Sequence, residues 1–150
     1  MSDSVHIDFA TATEDDFEDL FALRMAAMHD SLARIGRLDA IRSRERFHSG
    51  FAPERTRHIL AGGVRVGFVV VKPVYDELLL DHLYVHPDFQ GRGIGAVALR
   101  AVIDEANAQR LPLRLCALRG SDSNRFYQRH GFVPVDEQEY DIYYERPVDE

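Results

Sequence analysis

"HPDFQGRGIGAVALR" spans His86–Arg100 and sets glycine at positions 91, 93 and 95, with an arginine between the first two. Glycine inside a helix costs about 1 kcal/mol relative to alanine, so three of them at a helix entrance need a reason. Unpaired N–H groups of a first helical turn, together with the helix dipole, attract anions. Glycine lets the backbone approach a phosphate with no Cβ in the way, and Arg92 adds a counter-charge. The stretch therefore reads as a pyrophosphate cradle. A Walker loop is excluded because no Gly-Lys-Ser/Thr follows. A Rossmann fingerprint fails as well, since the spacing is G-x-G-x-G and no parallel βαβ unit precedes it. Taken alone, the loop leaves a helix entrance merely tightened by glycine as the alternative.

The flanks supply the fold. Before the loop, "RHILAGGVRVGFVVVKPVYDELLLDHLYVHP" is β-rich. Gly62-Gly63 predicts a hairpin between strands near 57–61 and 64–72, and a further strand runs from Glu77 to Val85, closed by Pro87. Nearer the start, "VHIDFA" (5–10) alternates as a strand. Thr13 then caps a helix with Asp16 at its third position. Phe17, Leu20, Phe21, Leu23, Met25 and Met28 line its apolar face as far as Leu32, and Gly36 stops it. A second helix is expected over 40–48, with Ile41 and Phe47 as apolar contacts. After the loop comes a helix over 93–109 whose inner face is Ile94, Val97, Ala98, Ala101 and Val102. "LPLRLCAL" (111–118) follows as a buried strand. "SDSNRFYQRHGF" gives a short helix with Ser121 as cap and Gly131 as stop. Strands near 132–138 and 140–145 end the chain. The order β-α-α-β-β-β-α-β-α-β-β, without repeats or linkers, predicts a single domain over residues 1–150.

Composition sets outer bounds on function. The chain has 150 residues, 45% hydrophobic and 29% charged, with net charge −7. That balance suits a soluble globular domain and argues against nucleic-acid binding through phosphates. Its longest apolar runs are far too short for a membrane span, and "MSDSVHIDF" has no leader character. One cysteine, Cys116, excludes an internal disulfide and fits a cytoplasmic setting. Seven histidines show no ligand spacing, so no metal is expected. Residues 34–57 carry seven arginines (34, 37, 42, 44, 46, 55 and 57), which read either as a solvated helix face or as an anion-recognising wall.

"LDHLYVHPDFQGRGIGAVAL" (80–99) resembles the acetyl-coenzyme A loop of the GNAT superfamily of N-acetyltransferases, whose signature is Gln/Arg-x-x-Gly-x-Gly/Ala. "RGSDSNRFYQRHGF" is similar to the superfamily's second motif, a short helix ending in Phe-Tyr-x-x-x-Gly-Phe, and the order of elements matches across nearly the whole chain. The resemblance implies an α/β (α+β) GNAT fold: a mostly antiparallel, mixed sheet of about seven strands, splayed between the fourth and fifth. It implies acetyl-coenzyme A as co-substrate. The backbone of Leu83, Tyr84 and Val85 would pair with the pantetheine arm, and Gln90, Gly91, Arg92, Gly93, Ile94, Gly95 and Ala96 would hold the pyrophosphate. Many relatives carry asparagine where this chain has Ser121, which leaves open whether Ser121 or Asn124 meets the cofactor. Asn124 is the favoured one, with Ser121 as the cap.

Acetyl transfer to an amine needs a deprotonated nitrogen, a polarised thioester carbonyl and a proton for the departing thiolate. By resemblance Tyr127 is the general acid at the cofactor's sulfur, and the Val85 N–H is the donor to the thioester oxygen. Its alternative is a core tyrosine. By the same resemblance, the strand before the loop often carries a base or a residue that holds a proton-relay water. Asp81 is the first candidate because a carboxylate amid "LLLDHLYV" needs a partner or a role. His82, the better base at neutral pH, comes next, then Glu77. On that strand Leu79, Asp81, Leu83 and Val85 share one face, His82 and Tyr84 the other. Cys116, in an apolar strand, reads as a small hydrophobe and not as a nucleophile. The acceptor region contains Arg24, Met28, His29, the arginine-rich segment, Tyr140, Tyr143 and Tyr144. The expected acceptor is a small-molecule amine that also carries an anionic group. A protein or peptide acetyltransferase and a non-catalytic acyl-coenzyme A sensor are the alternatives. The terminal strands offer an edge for a homodimer.

Overall fold

The structure, a computed structural model, describes residues 6–36 and 38–149. Val5 of the first expected strand and Arg37 of the basic segment lie outside them. The strands are Ile7–Thr11 (β1), Thr56–Ala61 (β2), Val64–Val74 (β3), Glu77–Val85 (β4), Leu113–Leu118 (β5), Val133–Glu137 (β6) and Asp141–Arg146 (β7). The α-helices are Phe17–Arg34 (α1), Ala40–Ser49 (α2), Ile94–Ala108 (α3) and Ser123–Arg129 (α4). All seven strands form one sheet in the order β1-β2-β3-β4-β5-β7-β6. The β4–β5 pair is parallel and is registered only at Leu78↔Leu113 and Leu79↔Arg114. This is the seven-stranded mixed sheet and the splay that the GNAT-like fold requires.

The chain groups into two compact units. One comprises the chain up to Val70 together with His82–Leu99; the other comprises Val71–Asp81 and the chain from Arg100 onward. In the first unit, Thr13 and Asp16 form a capping box that opens as a 3-10 turn (Glu14–Asp16) and feeds α1. Phe17, Leu20, Leu23, Phe47, Phe68 and Val70 pack into one core cluster, with Tyr84 against it. Gly62 and Gly63 take φ of 59° and 83°, as a two-residue hairpin turn demands. Ile41 is 73% exposed, contrary to expectation. The buried residues of α2 are Ser43 and Phe47, one turn apart, and that pair defines its inner face.

The second unit packs the later turns of α3 with α4 and β5–β7. Val102, Ile103, Ala106, Leu113, Leu115, Tyr127, Phe132 and Tyr144 are among its buried side chains. In α3 as a whole the buried face includes Leu99 and Ile103, whereas Val97 is 42% exposed. Asp122 occupies the N-cap of α4, so Ser121 is not the cap; its hydroxyl donates to Leu118 O at 2.8 Å instead. Gly131 follows the helix at φ 90°, as expected of a left-handed stop.

Candidate functional site

The cradle lies in the first unit. β4 ends at Val85, His86–Phe89 turn back, and α3 begins at Ile94. Gly91 and Gly93 sit at φ 78° and 81°, a region that side chains rarely adopt. The first bond of the α3 ladder runs from Val97 N to Gly93 O at 3.1 Å, so the amides of residues 94–96 precede it. No acidic residue occupies this first turn, although acidic residues head the Thr13 turn. Ile94 is buried and anchors the helix, while Gly91, Arg92 and Gly93 are exposed and Gly95 and Ala96 half-buried. Gln90 ties the loop to the strand by donating Nε2–H to Val85 O at 2.9 Å. Arg92 lies over the Phe89 ring, 5.3 Å from its centroid, which keeps the guanidinium at the loop. These residues fit an anionic diphosphate in backbone shape and in charge.

Leu83, Tyr84 and Val85 are all half-buried on β4. Gly67 on β3 lies so close that a Cβ there would collide with the Tyr84 carbonyl oxygen. His86 N also bonds Val66 O at 2.8 Å, and these contacts hold the end of β4 against β3. His82 and Tyr84 belong to an aromatic wall. The His82 ring stands edge-on to Phe47 at 5.3 Å, Tyr84 lies 5.5 Å from Phe68, and His82 Nδ1 is 3.3 Å from Tyr84 Oη.

The second unit holds the remaining predicted residues. Asp81 is ion-paired with Lys72, the chain's sole lysine, at 3.0 Å. Glu77 pairs with Arg114 at 2.8 Å. Tyr127 is buried, in ring contact with Phe126, Phe132 and Tyr144. The Asn124 amide is occupied at both ends. Its Nδ2 donates to Leu118 O and Ser121 O at 2.9 and 3.0 Å, and its Oδ1 accepts from Tyr144 Oη at 2.7 Å. Tyr144 is 1% exposed, so its ring is core and not an acceptor wall as expected. Cys116 is an exposed residue and not a buried hydrophobe. Although the residue is exposed as a whole, partial desolvation at its sulfur, and then the Asp141 and Asp81 carboxylates, push its pKa up to about 11. That disfavours the thiolate a nucleophile needs.

Most of the basic segment is a solvated face. Arg44 pairs with Glu18 (Nε at 3.0 Å) and Arg42 with Asp39 at 4.0 Å, while Arg42, Glu45 and Arg46 line an open depression. The wall built by Phe47 and Phe68 was not among the expected site residues, because aromatics far apart in sequence carry no spacing signal. Lys72 was missed too, though a single lysine among arginines was a visible cue. Among the described residues no cluster of three or more His, Cys, Asp or Glu could hold a metal, and no helix is long and apolar enough to cross a membrane.

Residues 54–134 match the family model described as "Acetyltransferase (GNAT) domain". The chain belongs to the GNAT acetyltransferase family, whose members transfer acetyl groups from acetyl-coenzyme A. No curated protein matches it in sequence. Among solved structures it is similar to the PaiA N-acetyltransferase of Thermoplasma acidophilum in complex with coenzyme A, with TM-score 0.77 and 18% identity over 95% of this chain and 99% of that one. It is also similar to the ribosomal-protein-S18-alanine N-acetyltransferase of Escherichia coli (TM-score 0.74, 19% identity, 97% and 96% covered). A third is the N-acetylglutamate synthase of Neisseria gonorrhoeae (TM-score 0.70, 18% identity, 99% of this chain and 37% of that one). At these identities the likeness speaks for the fold.

Proposed function

We propose that this protein transfers the acetyl group of acetyl-coenzyme A directly to a primary amine of a small molecule, within a ternary complex. The observation that carries the reading is the cradle, where Gly91 and Gly93 at positive φ lead into an acid-free first turn of α3. The amides of Gly91–Ala96 would hold the pyrophosphate, with Gln90 fixing the loop to β4, and the backbone of Leu83–Val85 would lie beside the pantetheine arm, with Val85 N–H as the donor to the thioester oxygen. The bound co-substrate supplies an activated acetyl group. Tyr127 delivers the proton to the departing sulfur. His82 is the favoured base, because Asp81 and Glu77 already neutralise Lys72 and Arg114, whereas an imidazole takes up a proton near neutral pH.

A coenzyme A release assay across an amine library tests the reaction. Tyr127→Phe should slow turnover about 100-fold with little change in coenzyme A affinity. His82→Gln should remove the acidic limb of the pH–rate profile, and Asp81→Asn should leave that limb in place. If Asp81→Asn removes the limb and His82→Gln does not, the base is Asp81. Release confined to peptide or protein amines would replace the small-molecule acceptor.

A further inference from the structure

Arg24 stands apart from the other arginines of the first unit. It lies in the middle of α1, half-buried, and its Nε is fully enclosed, with no hydrogen-bond partner among the described residues. Its guanidinium carbon lies 5.9 Å from the centre of the Tyr84 ring, and among the described residues its hydrogen bonding is limited to a long contact, Nη1 to Met25 Sδ at 3.9 Å. Among the described residues no carboxylate forms an ion pair with it. In the same unit Arg44 is paired with Glu18, and Arg65 with Asp19 at 3.1 Å.

Enclosing a charged donor without a partner is costly, and buried polar groups left open in a native fold call for an explanation. A ligand that completes the bond is one. Guanidinium presents a planar fork that matches a carboxylate in two parallel bonds, which an ammonium cannot do. The ring beneath it, Tyr84, belongs to the same wall as Phe68, Phe47 and His82. A cation over an aromatic wall matches a molecule with a carboxylate at one end and an apolar body beside it.

We propose that Arg24 is the anchor for a carboxylate on the acceptor, and that the acceptor is therefore an amine of the amino-acid class with an apolar or extended side chain. This rests on the acetyl-transfer reading above and narrows its acceptor. It also relocates the anion-recognising group from the arginine-rich 34–57 segment, whose described members in α2 are exposed, to α1.

Binding and turnover are measured separately, so that the two readings fail separately. The coenzyme A complex is titrated calorimetrically with L-phenylalanine, L-leucine and L-glutamate and with the matching carboxamides. The wild type should bind the acids about tenfold or more tightly than the amides, and Arg24→Met should remove that preference. Arg24→Lys, which keeps the charge and loses the fork, should fall between them. Coenzyme A affinity reports whether each variant is folded; if Arg24→Met is not, Arg24→Lys decides by lowering the acid-to-amide ratio. Equal binding of acids and amides by the wild type, no binding of either, or a preference that survives both substitutions would overturn the assignment. Absence of coenzyme A release with every amine, alongside intact acid-selective binding, would instead sink the acetyl-transfer reading alone.

Discussion

Tyr144 and Asn124 illustrate how one residue's chemistry is decided by what it already holds. Tyr144 Oη donates to Asn124 Oδ1 and receives Gln128 Nε2–H at 3.3 Å, so its hydroxyl is satisfied inside the second unit. An asparagine one turn from the expected position looked free for a ligand in the sequence. Besides the nearby Ser121, its partners are Leu118 of β5 and Tyr144 of β7, and the pairing with β7 is one that no local pattern reveals. Cys116 shows the same dependence. Its apolar neighbours predict burial, yet strand alternation turns Leu113, Leu115 and Ala117 inward and Cys116 outward. With its pKa near 11, the thiol should react slowly with iodoacetamide at pH 7.5 and faster as pH rises toward 11. Intact mass after incubation with acetyl-coenzyme A should show no stable addition of one acetyl group, and Cys116→Ala should turn over as the wild type does. An acetylated Cys116 or an inactive Cys116→Ala would restore a covalent route.

At the scale of elements, the parts marked by turn chemistry were legible. The Gly62-Gly63 hairpin, the Thr13 capping box and the Glu77–Val85 strand all stand where backbone rules put them. Illegible were the faces of weakly patterned elements and the close approaches between strands. In α2, Ile41 and Phe47 are the two large apolar side chains, and six positions apart they point roughly 120° away from each other, so only one can face inward and the sequence does not say which. Gly67 sits inside a run of hydrophobic β residues, where glycine weakens a strand unless another backbone must come close. Here one does, at the Tyr84 carbonyl. Gly67→Ala should therefore destabilise the protein by about 1–3 kcal/mol, toward the upper end because the obstacle is backbone and cannot rotate aside. Urea denaturation measures it. The same substitution should weaken coenzyme A binding, because Tyr84 and Val85 lead directly into the cradle. A stable Gly67→Ala variant with normal affinity would mean that β4 can shift freely.

For the molecule as a whole, acid stability follows from carboxylates held in each of the two units. Asp16 accepts the Thr13 N–H at 2.8 Å and faces His58 at 3.0 Å and Arg65 at 3.8 Å; the backbone bond first, then His58, hold its pKa below the usual carboxylate value. Asp149 is held down first by its hydrogen bond to Arg146, with Asn107 adding a second at 2.8 Å. A folded pKa below the unfolded one stabilises the fold at pH values above the unfolded pKa. That stability is lost as pH falls through the folded value. The melting temperature should thus hold from neutral pH to about 5 and drop below about 4, where unfolded carboxyls take up protons first. Asp16→Asn keeps an acceptor oxygen for Thr13 and removes the charge that His58 and Arg65 face. It should cost on the order of 1 kcal/mol near pH 7, and its gap to the wild type should close as pH falls toward 3. Asp149→Asn should show the same closing gap with a smaller starting difference, since that carboxyl is exposed. Melting curves of the three proteins from pH 7 to pH 3 decide the matter. A gap that stays constant with pH would assign the Asp16 effect to hydrogen-bond geometry and not to charge.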